Sequence, residues 1–230
     1  MTYQEIVQGR FVKRINRFIA EVIINGIAEQ VHVKNTGRCK ELFIEGQKVY
    51  LEQASNPNRK TKYSLISIFK GNTLINIDSQ VPNKVVYDAL INRQLDDFKN
   101  LIEIKREVTY QNSRFDLYFK RQNGQEGFIE VKGVTLEENN IAIFPDAPTI
   151  RGKKHVNELI KAFDEGYESY IFFLIQLRPI NYFTPNTITD PSFSVALKAA
   201  HQHGVKILAY DSLVTETAIE IGNPCPVIFK

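Results

Sequence analysis

Asp116, Glu130 and Lys132 are the residues of this sequence whose types and spacing best suit chemistry. They lie in the segment SRFDLYFKRQNGQEGFIEVKG, from Ser113 to Gly133, whose alternating pattern predicts two strands joined by a turn. Two carboxylates held close together need a cation, and Mg²⁺ or Mn²⁺ prefers oxygen ligands of this kind. The lysine would orient or activate water, or neutralise charge on a phosphate. The alternative is an exposed salt-bridge cluster with no chemical role.

The register of these two strands decides whether the three side chains meet. The predicted apolar face of the first strand consists of Phe115, Leu117 and Phe119. A two-residue turn at 123–124 would pair Asp116 with Val131 and place the acid on the wrong face. We therefore expect a loop of odd length or a bulge, which sets Asp116 opposite Glu130 or Lys132.

The elements that must position these strands are predicted between residues 83 and 230. Apolar residues at helical spacing predict a helix in NKVVYDALINRQL, and three strands follow at about 101–110, 114–121 and 127–136. A second helix is predicted in RGKKHVNELIKAFDEG, and a third begins after the N-cap Asp190 and ends at Gly204. The segments SYIFFLIQL and VKILAYDS are apolar enough for central strands. This order predicts an α/β sandwich with a mixed sheet.

Residues 1–82 show strand patterns and no convincing helix. About five short strands are separated by turn signals, among them Asn25-Gly26, which is typical of a tight hairpin. A small antiparallel barrel is the expected fold of such a segment. The chain is therefore predicted to have two domains, α+β overall, with a barrel over 1–82 and an α/β domain over 83–230.

Charge divides the chain at the same place. Residues 1–82 carry 12 Lys and Arg against 7 Asp and Glu, a net of +5, whereas residues 83–230 carry 17 against 19, a net of −2. This asymmetry suggests a surface for polyanions beside a site for cations, although chance would also explain it. Two cysteines without CxxC spacing, no secretory signal and no long apolar run predict free thiols in a reducing cytoplasm and no membrane partner.

A basic stretch of the barrel segment is a candidate for contact with nucleic acid. Arg59, Lys60 and Lys62 flank Tyr63 after the turn-forming NPN, and Arg38 lies in the separate stretch NTGR. Basic residues beside an aromatic suit a barrel that follows a phosphate backbone and stacks bases. A solvated basic loop is the alternative.

The second predicted helix opens with another basic cluster. Arg151, Lys153 and Lys154, together with the amides of the helix N-terminus, would suit phosphate. His155 follows directly, and the sequence leaves open whether it is a base, a phosphate contact or a packed imidazole. Asp88 on the first helix is either an acid of the site or a surface carboxylate.

The order of helix, strand, Asp, hairpin and Glu-x-Lys resembles the PD-(D/E)xK nuclease-like core, with Asp116, Glu130 and Lys132 as its motif. Six ordered stretches extend the resemblance over nearly the whole chain, to the sugar fermentation stimulation protein A family. They are NTGR, NPNRKTKYSL, NSRFDLYF, FIEVKGVTL, FPDAPTIRGKKHVNEL and GVKILAYDS. The resemblance implies an OB-like N-terminal barrel, a nuclease-like C-terminal domain, DNA binding without strong sequence preference, and a cytoplasmic protein. By itself Glu107 is either a further metal ligand or a solvated strand residue, and the resemblance in the stretch REV favours the ligand.

Two functions of different kinds follow. The first is a Mg²⁺- or Mn²⁺-dependent phosphodiesterase acting on DNA, and the complete Asp…Glu-x-Lys set favours it. The second is a non-catalytic, sequence-nonspecific DNA-binding regulator of sugar metabolism, and the modest net charge favours it. A sugar-binding role has little support because tryptophan is absent. The oligomeric state is left open, and a homo-oligomer is compatible with the sequence.

Overall fold

The N-terminal part of the chain forms a closed barrel of five strands with a sixth strand added at one side. In the computed structural model, which describes residues 1–35 and 37–229, the strands follow the order β3-β2-β1-β4-β5, and β3 pairs with β5 to close the barrel. The strands are β1 Ile6–Arg14, β2 Ile19–Ile24, β3 Ile27–Val33, β4 Lys48–Gln53, β5 Tyr63–Lys70 and β6 Thr73–Asn76. Asn25 and Gly26 have φ values of 50° and 81°, as a tight hairpin turn between β2 and β3 requires.

A six-stranded mixed sheet forms the centre of the second domain, in the order β15-β14-β12-β9-β8-β7. The central strands β9, β12 and β14 are parallel, and the outer pairs are antiparallel. The elements are α1 Val81–Ile91, β7 Leu101–Tyr110, β8 Ser113–Arg121, β9 Glu126–Val134, β10 Glu137–Glu138, β11 Ile141–Phe144, α2 Ile150–Asp164, β12 Glu168–Ile175, β13 Tyr182–Pro185, α3 Pro191–His203, β14 Lys206–Val214 and β15 Ile219–Pro224. The predicted mixed sheet is therefore confirmed.

Helices cover both faces of this sheet. Phe172 of β12 belongs to the buried cluster that contains residues of α1, whereas Phe173 belongs to the cluster that contains residues of α2 and α3. Successive side chains of a strand point to opposite faces, so an apolar residue at every position is what a doubly covered strand needs. The α3 helix begins after the N-cap Asp190 and ends at Gly204, as its sequence predicts.

Some elements of the second domain carry no clear sequence signal. They are a single 3₁₀ turn at Asp96–Phe98, the last strand β15, and a small sheet in the order β10-β11-β13. The first residues of the chain also join this domain, since Tyr3 donates its backbone N–H to Thr217. Among the described residues, no helix is long and apolar enough to cross a membrane.

The barrel and the second domain share their core. Phe11 of the barrel and Phe173 of the sheet lie in one buried cluster, and Ile66 and Leu174 lie in the other. Backbone pairing continues across the boundary, because Asn76 at the end of β6 donates its N–H to the carbonyl of Gln176 at 3.0 Å. The two domains therefore pack as one body around the end of β12.

Candidate functional site

The β8–β9 hairpin has the odd-length loop that the sequence requires. Arg121 donates its backbone N–H to Gln125 at 2.7 Å, so the loop comprises the three residues 122–124. Leu117 pairs with Ile129, and this register carries Asp116 to the position opposite Glu130. The prediction of an odd-length loop is therefore confirmed.

Asp116 lies where the backbone pairing of β8 and β9 stops. Its Oδ2 accepts a hydrogen bond from the backbone N–H of Val131 at 2.8 Å, in place of a backbone carbonyl. Its Oδ1 accepts from the Asn83 side chain of α1 at 2.7 Å. The carboxylate is thus held between the two strands and helix α1. Nothing in the sequence singles out Asn83, because its partner lies on a distant strand.

Phe115 departs from the predicted apolar face. Leu117 belongs to the cluster beneath α1, whereas Phe115 packs against Phe128 on the α2 side, with ring centroids 5.0 Å apart. The regular alternation of the strand pair is interrupted beside Asp116, where Glu107 on β7 has a left-handed backbone with φ of 57°. Such an irregularity redirects side chains, and local sequence pattern does not reveal it.

Glu130 is almost completely buried, with 2 % of its surface exposed. Its Oε1 accepts hydrogen bonds from Lys132 Nζ at 2.5 Å and from His155 Nδ1 on α2. Its Oε2 is buried and has no hydrogen-bond partner in the described part of the chain. One oxygen of the carboxylate is therefore fully engaged, while the other lacks any donor.

The two carboxyls have pKa values shifted in opposite directions. Burial and the nearby charge of Glu130 raise the pKa of the Asp116 carboxyl above its usual range. Burial also acts to raise the pKa of Glu130, but the hydrogen bond from His155 and the charge of Lys132 outweigh it and lower that pKa. The partners of Glu130 therefore favour its charged form, whereas burial disfavours the charged form of Asp116.

Gly133 follows the Glu-x-Lys motif at a point of close contact. A Cβ at this position would lie 2.5 Å from Oε1 of Gln176 and 2.8 Å from Cγ of Pro82. Any side chain would push apart β9, β12 and the start of α1, so the glycine preserves the packing directly beside the site.

Glu107 does not join the other carboxylates. Its side chain is exposed and forms an ion pair with Arg114 on the surface, so the structure gives no support to it as a metal ligand. Asp88 likewise forms a helix-surface pair with Lys84, which favours the surface interpretation. Among the residues that the structure describes, no group of three or more His, Cys, Asp or Glu side chains is arranged to hold a metal. Glu107 is therefore set apart from Asp116 and Glu130, whose role as metal ligands stays a prediction.

The basic residues of the barrel loop are exposed, but the aromatic beside them is not. Arg59, Lys60 and Lys62 lie on the surface, and Arg38 is also exposed. Tyr63 is 7 % exposed and belongs to the buried cluster of the barrel. It is a core residue and not an accessible surface for stacking bases, because its strand position turns the ring inward.

The basic cluster of α2 directly precedes His155, which contacts Glu130. Arg151, Lys153 and Lys154 are exposed in the first turns of the helix, and Lys154 Nζ donates to the carbonyl of Asn112 at 2.9 Å. His155 is buried and meets Glu130, and its Nε2 lies 3.5 Å from Nε of Arg151. The basic side chains of this helix are therefore exposed to solvent, whereas the His155 imidazole is buried and contacts Glu130.

Arg14 is a structural residue that sequence reasoning missed. Its guanidinium has five N–H donors, and each of them meets a backbone carbonyl. The acceptors are Asn16, Arg17, Asn35, Gly37 and Arg38, at 2.6–3.2 Å. This one side chain therefore holds the backbone of Asn35, Gly37 and Arg38 in place.

The architecture and the site together define a class of two-domain proteins, in which an oligonucleotide-binding type of barrel precedes an α/β domain with carboxylates at a strand hairpin. The family model described as SfsA N-terminal OB domain matches residues 12–77, and that described as sugar fermentation stimulation protein RE domain matches residues 80–218. The chain belongs to the sugar fermentation stimulation protein family, so the resemblance and the expected fold are confirmed.

Relatives match the chain over its whole length. A sugar fermentation stimulation protein homolog of Alkaliphilus oremlandii is 50% identical over 234 residues and covers 100% of both chains. One from Clostridium botulinum is 50% identical over 224 residues and covers 97% of each. The structure of Pyrococcus furiosus SfsA in complex with Ca²⁺ has a TM-score of 0.90 and 29% identity, covering 99% of this chain and 98% of that one.

Proposed function

We propose that this chain is a divalent-metal-dependent phosphodiesterase acting on DNA, in which Asp116 and Glu130 hold Mg²⁺ or Mn²⁺. The observation that carries the proposal is the Glu130 carboxylate. It is ionised and buried, and its Oε2 has no hydrogen-bond donor in the described chain. A buried charged oxygen without a partner is costly, and a bound cation removes that cost.

The donor set suits a hard divalent ion. Mg²⁺ is usually held by one or two carboxylates, with water and substrate phosphate as its other ligands, so two carboxylates are sufficient. The Pyrococcus furiosus relative was solved with Ca²⁺, another cation that prefers oxygen, which supports a divalent site in this family. When bound, the ion supplies a Lewis acid that polarises a phosphoryl oxygen.

The residues around the carboxylates have separate tasks. Asn83 and the Val131 amide hold Asp116, and His155 holds Glu130. The Lys132 ammonium is a point charge at the same place, where it neutralises charge that develops on a phosphate in the transition state. The chemistry is therefore assigned to residues of β8 and β9, on a rigid sheet.

DNA as substrate follows from the surface around the site and from the barrel. Exposed Arg151 and Lys153 lie on the helix that also carries His155, and Arg38 lies on the loop anchored by Arg14. OB barrels commonly bind oligonucleotides, and the barrel half carries a net charge of +5. The basic residues hold the phosphate backbone, whereas the buried carboxylates act on one phosphate.

Two substitutions separate metal binding from chemistry. Glu130→Gln should weaken Mn²⁺ binding at least tenfold, because a carboxylate charge is lost from a hard-cation site. Lys132→Ala should leave Mn²⁺ binding intact or tighter, since a nearby positive charge is removed, yet it should abolish cleavage. Calorimetry with Mn²⁺ and cleavage of single- and double-stranded DNA measure the two effects.

Glu107→Gln is the matched control, because this carboxylate pairs with Arg114 on the surface. The Glu107→Gln variant should bind Mn²⁺ and cleave DNA as the wild type does. Normal Mn²⁺ binding by Glu130→Gln would show that the ligand assignment is wrong. If the wild type binds no divalent ion and cuts no DNA, the alternative stands, a non-catalytic DNA-binding protein.

A further inference from the structure

A cleft of about 320 Å³ lies between the barrel and the second domain, directly beyond the carboxyl end of β9. Asn35, Gly37 and Ser79 line the barrel side, and residues 133–136, residues 143–149 and Gln176 line the other. Small-molecule sites have volumes of about 300–1,000 Å³, so the cleft has room for a compact ring system. Gly133, which follows Lys132 along β9, is one of the residues that line the cleft.

Asp146 lines this cleft and accepts no hydrogen bond from the described residues. The residue is half-buried. Its Oδ2 occupies the space beside Gly37, where a Cβ would approach it to 2.7 Å. Arg14 lies within electrostatic range, but backbone carbonyls of two barrel loops take all five of its donors. Within the described part of the chain, the Asp146 carboxylate therefore has no donor and can accept one from a ligand.

The charge around the cleft selects against phosphate. Glu41 lies within electrostatic range of Asp146, and its Oε1 is buried without a partner in the described chain. Burial raises the pKa of Glu41, and the charge of Asp146 adds to the shift. A phosphate would be repelled here, whereas a neutral group with N–H donors would be attracted.

We propose that this cleft receives one nucleobase bearing an exocyclic amine, from an unpaired strand, with Asp146 accepting the amine hydrogen. The inference rests on the proposed action on DNA. Ile143, Phe144 and Pro145 supply apolar contacts for the faces of a base, and Asp146 supplies an acceptor for its edge. Acidic side chains accept from the cytosine N4 amine in known protein–DNA contacts. A base in a strand that is already unpaired enters at the lowest energetic cost.

Binding of short unpaired oligonucleotides to the full chain tests this inference. Oligo-deoxycytidine and oligo-deoxyuridine differ in the amine at position 4, and fluorescence anisotropy in EDTA excludes cleavage. The wild type should bind oligo-deoxycytidine about tenfold more tightly, as expected for one hydrogen bond to a charged group. Asp146→Asn should bind both equally, because an amide offers an acceptor and a donor. Asp146→Ala should bind oligo-deoxycytidine only as well as oligo-deoxyuridine.

The matched control is Asp164→Asn, which changes an exposed carboxylate that pairs with His203. It should keep the preference for deoxycytidine. Equal binding by the wild type, or a preference retained by Asp146→Asn, would overturn the assignment. Loss of Mn²⁺ binding in Asp146→Asn would also overturn it, in favour of a cation site. A protein that keeps the base preference but cuts nothing would contradict the phosphodiesterase and support this cleft.

Discussion

His155 acts on the candidate metal site through Glu130. Its Nδ1 donates to Glu130 Oε1, which leaves Oε2 as the oxygen available to a cation. Residues that orient metal ligands typically change metal affinity 10–100-fold when they are replaced. We therefore expect His155→Ala to weaken Mn²⁺ binding at least tenfold in calorimetry. His155→Asn should restore much of it, because the Asn amide can donate from nearly the same place.

A second histidine provides the control for that measurement. His203 forms a hydrogen bond with Asp164 at 2.6 Å on the surface, away from the candidate site. His203→Ala should bind Mn²⁺ as the wild type does. If His155→Ala also binds Mn²⁺ normally, His155 is a packed imidazole without a positioning role.

Among individual residues, the sequence predicts the Asp…Glu-x-Lys motif better than it predicts the residues that hold the motif in place. Asp116, Glu130 and Lys132 are recognisable because residue types on alternating strands carry their own signal. His155 and Asn83 become part of the site only through the packing of α2 and α1 on the sheet. For Glu107 the sequence suggests a role in the site that the structure does not support. This residue lies on β7 with a left-handed backbone, and its side chain pairs with Arg114 on the surface.

Between elements, a buried polar contact joins the last barrel strand to the central sheet. Gln176 at the end of β12 donates from Nε2 to Oδ1 of Asn76 at 2.9 Å and to the carbonyl of Asp78 at 3.1 Å. Gln176→Leu would leave these acceptors buried and without that donor. The expected loss is about 1–3 kcal/mol in the free energy of unfolding, measured by urea denaturation.

The exposed Gln202 on α3 allows the same substitution without loss of buried contacts. Gln202→Leu should change the free energy of unfolding by less than about 0.5 kcal/mol. Equal stability of the two variants would mean that the contact between β6 and β12 contributes nothing.

The helices and long strands could be predicted because caps and periodicity are local signals. Asp190 and Gly204 mark the ends of α3 in the sequence as they do in the structure. The small sheet formed by β10, β11 and β13 could not be predicted in this way. Its strands have two to four residues, and their pairing depends on contacts between distant segments.

In the whole molecule, the distribution of charge separates the two domains, whereas the buried core connects them. The excess of positive charge belongs to residues 1–82, yet the buried clusters run through both domains. A fragment consisting of residues 83–230 would expose the part of its core that contacts the barrel. Substitutions in the full chain are therefore the proper way to locate DNA binding.

The exposed barrel loop should supply much of the affinity for DNA. Replacing Arg59, Lys60 and Lys62 together with Ala should weaken binding to all sequences about equally, because phosphate contacts carry no sequence information. Each contact contributes about 0.9 to the slope of log K against log salt concentration, so the slope should become shallower by about 2 to 3. Anisotropy titrations over a range of salt concentrations measure this slope.

A charge-matched triple substitution in the second domain separates local contacts from net charge. Lys99 and Lys105 are exposed and already paired with acidic neighbours, and Lys198 is exposed on α3. Replacing these three with Ala removes the same formal charge, but it should leave the salt slope nearly unchanged, because only residues that touch phosphate release counterions. If both triple variants lower the affinity and the slope equally, long-range attraction to the net charge explains binding better than a surface on the barrel loop. If only the second-domain variant lowers the affinity and the slope, DNA binds to the sheet domain and the barrel loop does not contact it.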